Sequence, residues 1–248
     1  MQYLAMLYDQ ESSITLPGTP EFQADLVGYR DFGQRFADSI LGGDALEGSA
    51  TARTVRPSPG GPGLDDAPLV TDGPFAESAE VVGGYYLLEA ATLDEAIDQA
   101  RELPVASRPR GAVEVRPMVM LWSPEVPVEK EPGDTRYLAL IYGRESAADV
   151  PDTPEWDEGA AQHGQFVEKH AAALMGGVAL HPAATSTTVR VRDGELLVTD
   201  GPFAETEEVV GGLYVLRAAS WGDAVAVAQD VPTNPGGAVE LRPIHELR

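Results

Sequence analysis

Short apolar runs alternate with amphipathic stretches along this chain, and the same succession occurs twice. Tyr3–Tyr8 and Tyr137–Tyr142 are apolar segments that predict strands. A helix is expected after each. Thr19 and Thr153 are suited to cap it, Pro20 and Pro154 fit its first position, and Glu21 and Glu155 complement its dipole. The pairs Gly42-Gly43 and Gly176-Gly177 read as the stops of these helices. Thr187–Arg192 then alternates apolar and polar positions, Asp193-Gly194 signals a type I′ turn, and Glu195–Thr199 returns as the second strand of a hairpin. A further strand is expected over about Val82–Leu88 and Val210–Leu216. Second helices begin at Thr92-Leu93-Asp94-Glu95, a capping box, and at Ser220, and end before Pro104 and Pro232. Last strands cover Ala112–Arg116 and Ala238–Arg242.

The repetition is literal in places. Val70–Glu77 recurs unchanged as Val198–Glu205, and Glu80–Gly84 recurs as Glu208–Gly212. Tyr3-Leu4-Ala5 answers Tyr137-Leu138-Ala139, and Arg116-Pro117 answers Arg242-Pro243. The first copy is six residues longer between Val55 and Asp72, within a Pro- and Gly-rich stretch beginning at Pro57 that reads as loop, and two longer near Pro109-Arg110. The organisation is a first copy over 1–123, a Pro- and Glu-rich linker over 124–135 and a second copy over 136–248. The fold class is α+β, with tandem ferredoxin-like domains whose helices cover one face of an antiparallel sheet. The other face needs a cover, and two copies in one chain would supply it by closing sheet on sheet as an internal pseudo-dimer. Further dimerisation is left open.

Charge and composition narrow the function classes. Forty acidic residues against 17 basic give a formal net charge of -23. Such a surface repels phosphate backbones and anionic lipid, so neither nucleic acid nor a membrane is an expected partner. With no cysteine, thiol catalysis, disulfides and thiolate metal sites are excluded. The first residues lack a basic region before their short apolar run and are not read as a signal peptide, which makes a soluble cytoplasmic protein the expectation.

Asp72-Gly73-Pro74-Phe75-Ala76-Glu77 and its second occurrence, followed by Gly-Gly-Tyr-Tyr or Gly-Gly-Leu-Tyr and by Arg-Pro near the end of each copy, resemble the DGPF branch of the YCII-related family. The resemblance covers both copies nearly end to end. It implies a dimeric α/β-barrel arrangement of ferredoxin-like units. Some relatives in the wider family are small-molecule lyases or dehalogenases with a proposed His–Asp site, and other DGPF proteins are linked with extracytoplasmic-function sigma factors. Two copies in one chain depart from the single-copy pattern.

The candidate residues carry alternatives. Asp72 and Asp200 serve either as general base or ligand contact beside the inter-copy cleft, or as turn formers whose Gly permits positive φ. Phe75 and Phe203 read as core anchors. All four histidines, His163, His170, His181 and His245, fall in the second copy. His163, Phe166, Val167, His170 and Leu174 follow one helical stripe, where the first copy has Tyr29, Phe32, Gly33, Phe36 and Ile40. His163 is then a semi-buried packing residue, or an acid/base group paired with Asp200, with Tyr29 in the equivalent ligand-facing place. Arg190 would hold a carboxylate ligand, or simply pair with surface acids. No metal set and no phosphate-loop pattern is present in the sequence, and no cofactor is expected.

Three functions compete. The first is a small-molecule-binding or interaction module, favoured because no catalytic set occurs in both copies. The second is an acid–base enzyme acting on a small carboxylated substrate through His163 and Asp200. The third is a partner or regulator of a sigma factor.

Overall fold

Twelve strands and four helices appear in the computed structural model, which describes residues 1–11, 19–57, 68–75, 80–146, 149–204 and 207–246. In chain order they are β1 Gln2–Gln10, α1 Pro20–Arg35, β2 Ile40–Ala45, β3 Arg53–Arg56, β4 Leu69–Asp72, β5 Glu80–Glu89, α2 Leu93–Ala100 and β6 Ala112–Trp122. The second copy repeats the list: β7 Thr135–Arg144, α3 Pro154–Lys169, β8 Leu174–Leu180, β9 Thr187–Arg192, β10 Glu195–Asp200, β11 Glu208–Ala218, α4 Trp221–Ala228 and β12 Ala238–Pro243. The chain is α+β, and strands β2-β5-β1-β6 and β8-β11-β7-β12 pair antiparallel with their neighbours. Most of the loop between Val55 and Asp72, from 58 to 67, lies outside the described residues.

Local chemistry sets the helix starts. Thr19 Oγ1 accepts the Phe22 N–H at 3.2 Å, and Thr153 Oγ1 accepts that of Trp156 at 3.2 Å. Each cap satisfies a donor that the first helical turn leaves open, worth about 1 kcal/mol. At α2, Thr92 Oγ1 accepts from Glu95 N at 3.2 Å while the Glu95 carboxylate reaches back to the Ala91 N–H at 2.7 Å.

The glycine pairs do not stop α1 and α3. Those helices end at Arg35 and Lys169, and Gly42-Gly43 and Gly176-Gly177 sit inside strands β2 and β8. The reason is close approach. A Cβ on Gly43 would lie 2.6 Å from the Tyr85 carbonyl oxygen, and one on Gly177 would lie 2.6 Å from the Tyr214 ring. These two strands, absent from the sequence reading, complete the β-α-β-β-α-β connectivity of each copy.

Two compact units result, and they cut across the two sequence copies. Unit one contains Met1–Gly48, Ser78–Met118 and Ala184–Glu205; unit two contains Ser49–Glu77, Val119–Ala183 and Thr206–Arg248. In unit one the strands run β2-β5-β1-β6, and then the second copy's hairpin β9–β10 joins the free side of β6. Val113 pairs with Val189, Glu114 with Thr188, and Val115 with Thr187. In unit two the strands run β8-β11-β7-β12, and the first copy's hairpin β3–β4 joins β12, with Val239 opposite Val55 and Glu240 opposite Thr54. The hairpins are exchanged.

Each unit has its own core between helices and sheet. Tyr3, Phe32, Leu88, Ala96, Leu103 and Val113 build that of unit one, together with the imported Val189. Tyr137, Phe166, Leu216, Ala224 and Leu241 build that of unit two, together with the imported Val55. Both valines are fully buried, so each import contributes roughly 1.5–3 kcal/mol of apolar burial to its host sheet.

Candidate functional site

The repeated Asp-Gly-Pro-Phe segment closes each hairpin. Gly73 and Gly201 take φ of 98° and 97°, a left-handed conformation that glycine adopts without Cβ strain. Their N–H groups donate to the carbonyls of Ala52 and Ser186, both at 2.8 Å. Their own carbonyls accept the hydroxyls of Thr54 and Thr188, both at 3.0 Å. Asp72 lies at an exposed strand end, its side chain 92% accessible, with Arg53 Nε 3.5 Å away. Asp200 is equally a strand end and is exposed. Both aspartates thus occupy the turn-forming place.

The chemistry of the motif resides in the residue that follows the proline. The Phe203 N–H donates to Glu114 Oε2 at 3.0 Å, and the Phe75 N–H donates to Glu240 Oε2 at 2.9 Å. Both glutamates are almost fully buried. Glu114 Oε1 also accepts from Arg116 Nη2 at 2.6 Å and from the Ser186 hydroxyl at 3.1 Å. Arg116 Nε donates to the same hydroxyl at 2.9 Å. In unit two Arg242 Nη1 donates to Glu240 Oε1 at 3.0 Å, and Ala52 stands where unit one has Ser186. These charges are paired and hydrogen-bonded, as burial demands.

Above each clasp lies a stack. The Arg190 guanidinium sits over the Phe203 ring at 5.1 Å, and that ring meets Tyr8 at 4.8 Å. Arg56 sits over Phe75 at 5.3 Å, and Phe75 meets Tyr142 at 4.8 Å. In both, one copy supplies Arg and Phe and the other supplies Tyr.

Two of the histidines have polar partners within unit two. His163 Nδ1 lies 3.0 Å from the Tyr214 hydroxyl in unit two, whereas Asp200 belongs to unit one. Burial lowers the His163 pKa to about 4, so the ring is neutral near pH 7, and burial raises that of Tyr214 to about 12. His170 caps α3, and its Nε2 lies 2.8 Å from Asp230 Oδ2. Lys169 Nζ reaches the same oxygen at 2.7 Å. Burial raises the Asp230 pKa, but the hydrogen bonds from Lys169 and His170 outweigh it and hold the carboxyl below its ordinary value. The sequence reading put His170 on the stripe and missed Asp230, which stands just beyond α4.

Tyr29, the counterpart of His163, is surrounded differently. Arg108 pairs with Asp9 at 2.7 Å and with Asp25 at 2.6 Å. Burial raises the Tyr29 pKa well above the ordinary phenol value, and nearby Arg108 opposes it only in part. For Arg108, burial works against the charge, yet the hydrogen bonds to Asp9 and Asp25 more than restore it. The second copy has Gly143 and Gly159 at the places of Asp9 and Asp25, so this cluster occurs in one unit alone. Among the described residues no group of three or more His, Cys, Asp or Glu side chains is arranged to hold a metal. Nor is any described helix long and apolar enough to cross a membrane.

Comparison with known proteins agrees with the repeat. A YCII-related domain matches residues 1–123 and again 135–248. The chain belongs to the YCII-related family. This YCII-related chain is also 42% identical over 79 residues to an uncharacterized protein of Rhizobium meliloti (strain 1021). That match covers 32% of the chain and spans 59% of the relative's length.

Proposed function

We propose that this protein is a non-catalytic small-molecule-binding module of the DGPF branch. One observation carries the reading: what recurs in both units is the Arg–Phe–Tyr stack on a buried Glu–Arg clasp, whose carboxylate is already engaged by an arginine and a backbone N–H. The titratable groups that a reaction would need differ between the units. His163 stands where the first copy has Tyr29, and Gly143 stands where it has Asp9. The Asp-Gly-Pro-Phe segments, present in both copies, support the DGPF assignment. The dimeric α/β-barrel pairing is part of the proposal on the family resemblance, as is docking to a sigma factor.

The test is incubation of the protein with a panel of small carboxylic acids, followed by ligand-observed NMR. Binding without consumption of any compound is the expected result. Consumption that disappears in H163F would instead establish acid–base catalysis at that histidine.

A second reading has its own support. His170 and Asp230 form a His–carboxylate pair within one unit, with side chains only 15% and 10% accessible. An enzyme using this pair would lose turnover in H170F, the residue type found at the matched Phe36, and keep it in D200N.

A further inference from the structure

We propose that each unit carries one binding site for a small monocarboxylate, with Arg190, Phe203 and Tyr8 forming the first and Arg56, Phe75 and Tyr142 the second. This names a ligand class for the binding module proposed above and rests on that reading.

The free guanidinium edges are the starting point. Among the described residues neither Arg56 nor Arg190 has a carboxylate partner, whereas Arg35, Arg53, Arg108, Arg116 and Arg242 all do. In a chain with 40 acids, two arginines without a carboxylate partner stand at matched places, each over the ring of its hairpin's Phe. Arg192, two residues from Arg190, shows the contrast: its guanidinium is consumed by the carbonyls of Ala106, Val191 and Gly111.

The surroundings hold these arginines in place. A guanidinium over an aromatic ring is attracted to the ring face while its N–H groups remain available at the edge. The ring beneath is fixed twice, by its stacking on Tyr8 or Tyr142 and by its backbone N–H on a buried glutamate. Both arginines are partly accessible, and so are both phenylalanines. A planar fork with apolar ring edges beside it matches a carboxylate on a small apolar body. The net charge of -23 selects against multiply charged anions, leaving a monoanion.

Each site is composite. Arg190 and Phe203 arrive with the second copy's hairpin and meet Tyr8 of the first; Arg56 and Phe75 come from the first copy and meet Tyr142 of the second. Hairpin exchange is what assembles them.

The experiment is a titration of the full chain with benzoate at low ionic strength, read at the backbone amides of Phe203 and Phe75 by NMR. Both amides should shift and saturate. R190Q should abolish the response at Phe203 and keep that at Phe75, and R56Q should do the reverse. Neutral benzamide should bind about ten-fold or more weakly, the scale of a lost charge-assisted pair. R190K and R56K, which keep the positive charge over the ring and lose the fork, should weaken their own sites and serve where a glutamine variant fails to fold. Responses at both amides that survive R190Q and R56Q, no response to benzoate at either amide, or equal affinity for benzamide would overturn the proposal. Benzoate bound elsewhere on the chain would overturn these sites and leave the binding-module reading intact. Consumption of benzoate would overturn that reading itself.

Discussion

Glu114 in β6 of the first copy accepts the backbone N–H of Phe203, 89 residues away in the second copy's hairpin, at 3.0 Å. The same oxygen pair holds Arg116 and Ser186, so one buried carboxylate ties a strand to a hairpin imported from the other copy. Glu240 repeats the arrangement with Phe75 and Arg242.

Removing that carboxylate takes a 2.6 Å ion-pair partner from the buried Arg116. E114A is therefore expected to lose about 3–5 kcal/mol, measured by urea unfolding. S186A should lose only about 1 kcal/mol, because unit two keeps its clasp with Ala52 at the matched position. A loss for E114A below that for S186A would contradict the clasp.

The His163 ring makes stability fall toward acid. Its folded pKa, about 4, lies below the ordinary value of 6.5, so the unfolded chain binds the proton first. The contribution is complete above about pH 6.5 and is lost as pH falls toward 4, by up to about 3 kcal/mol. H163Y, which installs the residue of the first copy, should flatten the slope of unfolding free energy between these values. An imidazole titrating near 6.5 by NMR would refute the burial account.

Gly43 has no room for a methyl group. Its Cβ would meet the Tyr85 carbonyl oxygen at 2.6 Å and the Tyr86 ring at 2.9 Å. G43A should cost about 1–3 kcal/mol in a thermal or urea melt, while G33A, whose Cβ meets nothing within 4 Å, should be neutral or stabilising.

Asp200 is exposed at the end of β10, and the turn bonds that follow it are made by the Gly201 backbone. D200N should change stability by less than about 0.5 kcal/mol and leave benzoate binding unaltered. Loss of binding in D200N would restore the carboxylate to the site.

Local signals made much of this fold legible in the sequence. Thr19, Thr92 and Thr153 cap where their neighbours predict, and Asp193-Gly194 turns with φ of 52° and 82°, both left-handed as a type I′ turn requires. Strands β2 and β8 were hidden because Gly-Gly reads locally as a helix stop, and only the approach of Tyr85, Tyr86 and Tyr214 explains it as strand. Hairpin exchange was not legible either. Ala112-Val113-Glu114 and Ala238-Val239-Glu240 present the same strand chemistry, so either could receive either hairpin. The Arg190 site was visible as an arginine in an acidic chain, but its dependence on Phe203 and Tyr8 is long-range. The His163–Tyr214 contact was hidden for the same reason, since a β11 tyrosine has no periodic relation to an α3 histidine.

The absence of native cysteine allows the exchange to be tested with one engineered pair at a time. Val113 pairs with Val189 across β6 and β9, whereas a hairpin kept within its own copy would place Val189 opposite Val239 of β12. Mild oxidation of V113C/V189C should give an internal disulfide in the monomeric chain, seen as a mobility shift on a non-reducing gel, and V189C/V239C should stay reduced. A disulfide in V189C/V239C and none in V113C/V189C would contradict the exchanged hairpins, and with them the composite sites.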